Sequence, residues 1–126
     1  MPSVRAYFIL LLLTLSACMS ACDSRDAAAP AVDGGDARVG ARLVSQFQCG
    51  SCHVIPDIAA AQGRTGPTLE MFGRRSYIAG SIPNFPDALA RFIVNPAAVK
   101  PDSTMPAMGV SQQEARHIAA YLGTLR

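Results

Sequence analysis

Cys49-Gly50-Ser51-Cys52-His53 is the stretch on which the reading of this chain turns. Two cysteines three positions apart, with a histidine directly after the second, form the C-x-x-C-H pattern of c-type haem attachment. The spacing has a chemical reason. Two thiols on one turn reach the two vinyl groups of a porphyrin and form thioether bonds, and the adjacent imidazole then binds the iron. Rival chemistries use similar clusters. A structural zinc site needs four ligands, and no second cysteine pair follows to complete one. A redox dithiol places C-x-x-C between a strand and a helix, whereas the segment before Cys49 has a helical pattern and no βαβ alternation comes after it. One covalent haem c is the favoured reading, and a thiol–disulfide oxidoreductase is the remote alternative.

Upstream of the cluster, Asp36 reads as the cap of an amphipathic helix from Ala37 to Gln48, with Val39, Leu43, Val44 and Phe47 at helical spacing. Downstream, Pro56 to Pro86 is rich in Gly and Pro, with room only for short helical turns such as Leu69–Phe72. Asn84-Phe85-Pro86-Asp87 reads as a helix start with Pro at the first helical position. Leu89, Phe92 and Ile93 face inward from that helix, Asn95-Pro96 ends it, and a loop runs from Ala97 to Val110. The last element is the clearest. Ser111-Gln112-Gln113-Glu114 is a capping box, and Ile118, Tyr121, Leu122 and Leu125 recur at i, i+3, i+4 and i+7. Strict two-residue alternation is missing, so the fold class is all-α: two terminal helices, one middle helix and long loops. Loops of that length are a difficulty for so small a core, and an embedded prosthetic group resolves it.

The N-terminus belongs to export. Arg5, the apolar run Phe8–Leu13 and then Leu15-Ser16-Ala17-Cys18 give the three regions of a secretory signal over residues 1–17. The run is too short to span a bilayer, which takes about 20 apolar residues. Leu15-Ser16-Ala17-Cys18 resembles the lipobox of bacterial lipoproteins, in which the cysteine is acylated; Cys18 is the expected lipidation site, with Cys22 as the weaker candidate. The alternative is a soluble periplasmic protein cut by ordinary signal peptidase. Residues 18–35 contain Pro30 and Gly34-Gly35 among small polar residues and read as a flexible linker of about 23 Å average span. Residues 36–126 then form the folded domain. Removal of residues 1–17 takes away Arg5 and no acid, so the formal charge falls from +2 to +1. With one lysine, Lys100, and no basic run, no nucleic-acid surface is expected. The four cysteines do not read as a disulfide framework.

A second axial ligand is expected in Asp102-Ser103-Thr104-Met105-Pro106-Ala107-Met108-Gly109, because a thioether stabilises ferrous iron and raises its potential. On residue type alone both Met105 and Met108 qualify. Gly40, Phe47, Cys49-x-x-Cys52-His53, Gly66-Pro67-x-Leu69, Met105-Pro106 and Ile118-Ala119-Ala120-Tyr121-Leu122 together resemble the class I cytochromes c, in order and from about Asp36 to Arg126. The resemblance implies a small cytochrome c fold in which the first and last helices cross at Gly40 and Tyr121, wrapped around one haem. It implies Met105 as the ligand rather than Met108, and a hydrogen bond from His53 Nδ1 to the carbonyl of Pro67, beside Gly66. One departure is the absence of Trp, which many relatives place near a haem propionate. Phe92 fills comparable space without donating, and among Arg74, Arg75, Tyr77 and Asn84 the expected pocket donors are Arg75 and Tyr77. His117 is expected to serve the surface or helix packing.

The function implied is electron transport rather than enzymatic catalysis: a monohaem carrier at the periplasmic face of the inner membrane, held there by a lipid anchor. The redox partners implied are a quinol-oxidising complex, a terminal oxidase or a periplasmic dehydrogenase. The alternative is a fixed haem subunit of a larger oxidase or dehydrogenase complex, so the chain is expected as a monomer or a complex subunit.

Overall fold

Asp36 starts the first helix in the way its side chain allows. In the computed structural model, which describes residues 32–126, its Oδ1 accepts the amides of Arg38 at 2.8 Å and Val39 at 3.2 Å. These two donors have no intrahelical partner. Helix α1 spans Ala37–Gln46, two residues shorter than its apolar pattern suggested. The reason is Gln48, which takes a left-handed backbone at φ 52° and turns the chain into the short 3₁₀ turn Cys49–Ser51. The signal segment 1–17, Cys18, Cys22 and most of the linker lie outside the described residues.

The Gly- and Pro-rich segment is not helical at Leu69–Phe72. A 3₁₀ turn forms instead at Phe72–Arg74, after Met71 enters the left-handed region at φ 55°. A two-stranded antiparallel hairpin follows, β1 Tyr77–Ile78 and β2 Ile82–Pro83, with Ile78 opposite Ile82. Two residues per strand are too few to display alternation, so the pattern left no trace in the sequence. Helix α2 spans Pro86–Val94 with Pro86 in its first turn. Asn95 ends α2 and also begins the next helix, its Oδ1 accepting the Ala98 amide at 3.1 Å. Thus α3, Pro96–Val99, occupies part of what reads as loop from Ala97. Helix α4 spans Gln112–Thr124 and carries the complete capping box: Glu114 N–H to Ser111 Oγ at 3.3 Å and Ser111 N–H to Glu114 Oε2 at 2.9 Å.

The core joins Leu43 and Val44 of α1, Leu89, Ala90 and Ile93 of α2, and Ala115, Ile118, Ala119 and Leu122 of α4. The most extensive helix packing is α1 on α4, followed by α2 on α4. The crossing depends on Gly40. A Cβ there would run into the His117 carbonyl and the Tyr121 Cβ, so only a glycine lets the two backbones come so close. Phe92 is only half-buried, while Ala90 is the fully buried member of α2.

The folded unit begins before Asp36. Val32 is buried, a Cβ on Gly35 would meet the Arg116 carbonyl and the Ala120 side chain, and Gln113 Nε2 donates to the Gly34 carbonyl at 2.6 Å. Residues 32–35 therefore pack on α4 and belong to the domain rather than to the linker. His117 secures the same junction, its Nδ1 accepting the Asp36 amide at 2.9 Å. Among the described residues no helix is long and apolar enough to cross a membrane.

Candidate haem site

The 3₁₀ turn Cys49–Ser51 is laid out by the loop behind it. Gly63 N–H donates to the Gly50 carbonyl at 3.0 Å and Gly66 N–H to the Cys52 carbonyl at 2.8 Å. Both glycines are required by space. A Cβ on Gly63 would strike the Ser51 and Cys52 backbone, and one on Gly66 would strike the His53 ring. Leu69 N–H closes the loop on the Val54 carbonyl at 2.8 Å.

His53 is held by one ring nitrogen. Its Nδ1 lies 2.6 Å from the carbonyl oxygen of Pro67. A carbonyl only accepts, so Nδ1 carries the hydrogen, which leaves Nε2 as the ring nitrogen available to a metal. Cys49 and Cys52 are both free and half-buried. Burial, the largest cause, pushes the Cys49 thiol above its ordinary value, and Cys52 beside it adds to the shift. Redox-active cysteines have the opposite property, a lowered pKa. Among the described residues no group of three or more His, Cys, Asp or Glu comes together, so the four-donor cluster of a structural zinc site is not assembled there.

These residues face a cavity of about 570 Å³, within the range of cofactor sites. Its walls are mostly apolar: Val44 from α1, Leu69 and Phe72 from the long loop, Leu89, Phe92 and Ile93 from α2, and Ile118 and Leu122 from α4. Cys49, Cys52, His53, Gly66 and Pro67 contribute one part of the wall, and Met105 with Pro106 another. Two thiols, an imidazole with a free nitrogen and a thioether around an apolar slot are the donor set that suits a covalently held haem. Met105 is half-buried there. Met108, which residue type alone left as an equal candidate, is 43% exposed and does not line the cavity.

Arg75 and Tyr77 also reach the cavity wall. Arg75 lies over the Phe72 ring, 5.3 Å from its centroid, and its Nη2 donates to the Thr68 carbonyl at 2.5 Å and the Glu70 carbonyl at 3.1 Å. Tyr77 stands at the rim, 59% exposed. Asn84 does not act as a free donor, since its Nδ2 is committed to the Arg75 carbonyl at 2.9 Å and the Phe72 carbonyl at 3.3 Å. Lys100, Asp102, Ser103 and the hairpin tip Ala79–Gly80 line the same cavity and were not singled out from sequence. Only the proximity of residues 100–103 to Met105 could have pointed to them.

The cytochrome c family model matches residues 37–126. The chain belongs to the cytochrome c family. It is 35% identical over 92 residues to cytochrome c-552 of Bradyrhizobium diazoefficiens, covering 72% of this chain and 76% of that protein. It is 30% identical over 91 residues to cytochrome c oxidase subunit 2 of Alkalihalophilus pseudofirmus, covering 71% of this chain but only 26% of that protein. No solved structure gives a significant match. The small all-α cytochrome c fold is therefore established, and with it a covalent haem c and the carriage of single electrons between redox partners.

Proposed function

We propose that this cytochrome c is a lipid-anchored, monohaem electron carrier of a respiratory chain at the periplasmic face of the inner membrane. Cys49 and Cys52 would hold the haem through thioether bonds, His53 Nε2 and the Met105 sulfur would bind its iron, and Gly66, Pro67, Arg75 and Tyr77 line the pocket. The observation that carries the assignment is the convergence of both thiols, His53 and Met105 on one apolar cavity, with His53 Nδ1 already engaged by Pro67. Bound there, the haem supplies an iron centre that cycles between two oxidation states. The protein's part would be to offer that iron an imidazole from His53 and a soft thioether from Met105, so that no site is left for a substrate, and to keep the sulfur in place in either state. Pro67 fixes the imidazole orientation and raises its basicity as a ligand.

Two measurements test the site. A pyridine haemochrome spectrum of protein expressed with periplasmic export should give the signature of thioether-bound haem, and a spectrum without it overturns the assignment. In the oxidised protein, the weak far-red sulfur-to-iron charge-transfer band should vanish in Met105→Ala and persist in Met108→Ala. The anchor rests on Leu15-Ser16-Ala17-Cys18 behind the apolar run Phe8–Leu13. Incorporation of labelled palmitate should be abolished by Cys18→Ser and unaffected by Cys22→Ser.

The likeness to part of an oxidase subunit 2 favours a second reading, in which the chain is a fixed haem subunit of a larger complex. Co-purification with stoichiometric partner subunits after mild detergent extraction would select it over a free carrier.

A further inference from the structure

The residues that follow α3 form a chain of short-range ties that ends on Met105. Asn95 Oδ1 caps α3, and the Lys100 amide closes that helix on the Pro96 carbonyl at 2.8 Å. Lys100-Pro101-Asp102-Ser103 is a β-turn, closed by Ser103 N–H on the Lys100 carbonyl at 2.9 Å with Pro at its second position. Lys100 Nζ reaches across the turn to both carboxylate oxygens of Asp102, at 2.6 and 2.7 Å. The Lys100 side chain is only 27% exposed and lines the cavity. Ser103 Oγ then accepts the Met105 amide at 3.3 Å, while Pro106 restricts Met105 to extended backbone.

Among the described residues, no backbone hydrogen bond joins residues 104–110 to another element. The backbone of Met105 is therefore restrained by Ser103 on one side and Pro106 on the other, and by little else polar. We propose that Ser103 is the positioning residue that presents Met105 to the iron, and that the Lys100–Asp102 ion pair anchors the turn from which Ser103 acts. The proposal rests on Met105 being the axial ligand. Ordering this loop in advance lowers the conformational entropy lost when the thioether binds. An exposed ion pair adds little to the stability of the whole domain. The effect is consequently local, on the methionine–iron bond and not on the helices.

The test follows two signals of the oxidised holoprotein in one denaturant titration: the sulfur-to-iron band for the methionine bond, and far-ultraviolet circular dichroism for the helices. Ser103→Ala should raise the methionine-dissociated fraction about fivefold at denaturant levels where the helices are intact, the factor given by one hydrogen bond of ordinary net strength. Lys100→Gln and Asp102→Asn should shift the band in the same direction by less. Ser103→Thr and Lys100→Arg should restore the wild-type curve. If Ser103→Ala and Lys100→Gln leave the band curve where it was, or move the band and helix curves together, the positioning role is overturned. Retention of the band in Met105→Ala would instead remove the ligand assignment, so the two failures are distinguishable.

Discussion

The two loops that supply the candidate iron ligands are built in opposite ways. The His53 side is stitched across sequence distance: Gly63 to Gly50, Gly66 to Cys52, Leu69 to Val54, and His53 to Pro67. Its glycines let one backbone lie directly on another. Among the described residues, the Met105 side is stitched only to its own neighbours, through Lys100, Asp102 and Ser103. Its glycine at 109 has a left-handed backbone at φ 74° and open space around it. The first loop is a rigid seat that exists because two strands of chain interlock. The second is a preformed arm whose shape is local. This division suits a carrier, since attachment chemistry needs the cysteines and histidine fixed together, whereas the soft ligand has only to arrive in a restricted set of conformations.

The strongest way to break the comparison is by adding a methyl group to each side. Gly63→Ala places a Cβ against the Ser51 and Cys52 backbone, which has no side-chain freedom to yield. A loss of about 3 kcal/mol, the upper end of the usual overpacking cost, is expected, together with a fall in haem attached per polypeptide. Gly109→Ala meets no atom and carries only the left-handed backbone cost, about 1 kcal/mol, with attachment unchanged. Denaturant unfolding and haemochrome yield measure both. Equal losses at the two positions would erase the proposed difference between seat and arm.

An intermediate effect sharpens the picture at the root of the arm. Asn95→Ala removes the cap of α3 and should cost about 1 kcal/mol. Its signature is selective: the methionine band should weaken under mild denaturant while haem attachment stays complete. A reduced attachment yield would mean that α3 supports the seat as well.

How much of this was legible beforehand follows from the range of each signal. The capping box at Ser111 and the cap at Asp36 are local patterns with one structural meaning, and both stand as read; the close approach at Gly40 was implied by the resemblance to the class I cytochromes c, and the structure shows it. The C-x-x-C-H cluster was legible as chemistry, Met105-Pro106 was singled out only through the family resemblance, and the structure brings both to one cavity. Short elements were not legible. The hairpin has two residues per strand and α3 has four residues, below the length at which periodicity carries information. The docking of Val32–Gly35 on α4 was hidden for another reason. A Gly-Gly pair reads as linker, and only the presence of α4 against it reveals that the missing Cβ makes room for a contact.

The smallest expected effect is acid sensitivity, and it again separates the two regions. Asp36, Glu114 and Asp102 all have carboxyl groups held below their ordinary values of 3.8, 4.5 and 3.8. For Asp36 the main cause is the amide hydrogen bonds it accepts from Val39 and Arg38, for Glu114 the bond from the Ser111 hydroxyl, and for Asp102 the bond from Lys100. A carboxyl whose pKa is lower folded than unfolded contributes stability at pH above its unfolded value. That contribution fades as pH falls through 4.5 and 3.8 and is gone below the depressed folded values. Asp102 is exposed and Asp36 and Glu114 are only partly covered, so the loss is shallow and further reduced by salt. Asp36→Asn keeps a good N-cap while removing the titration. It should therefore match the wild type at neutral pH and lose less helix stability on acidification. Asp102→Asn should leave the acid response of the helices unchanged and flatten only that of the methionine band. If acid instead acts on both signals through Asp102, the arm is coupled to the helical framework, and the Met105 loop is less independent than its hydrogen bonds imply.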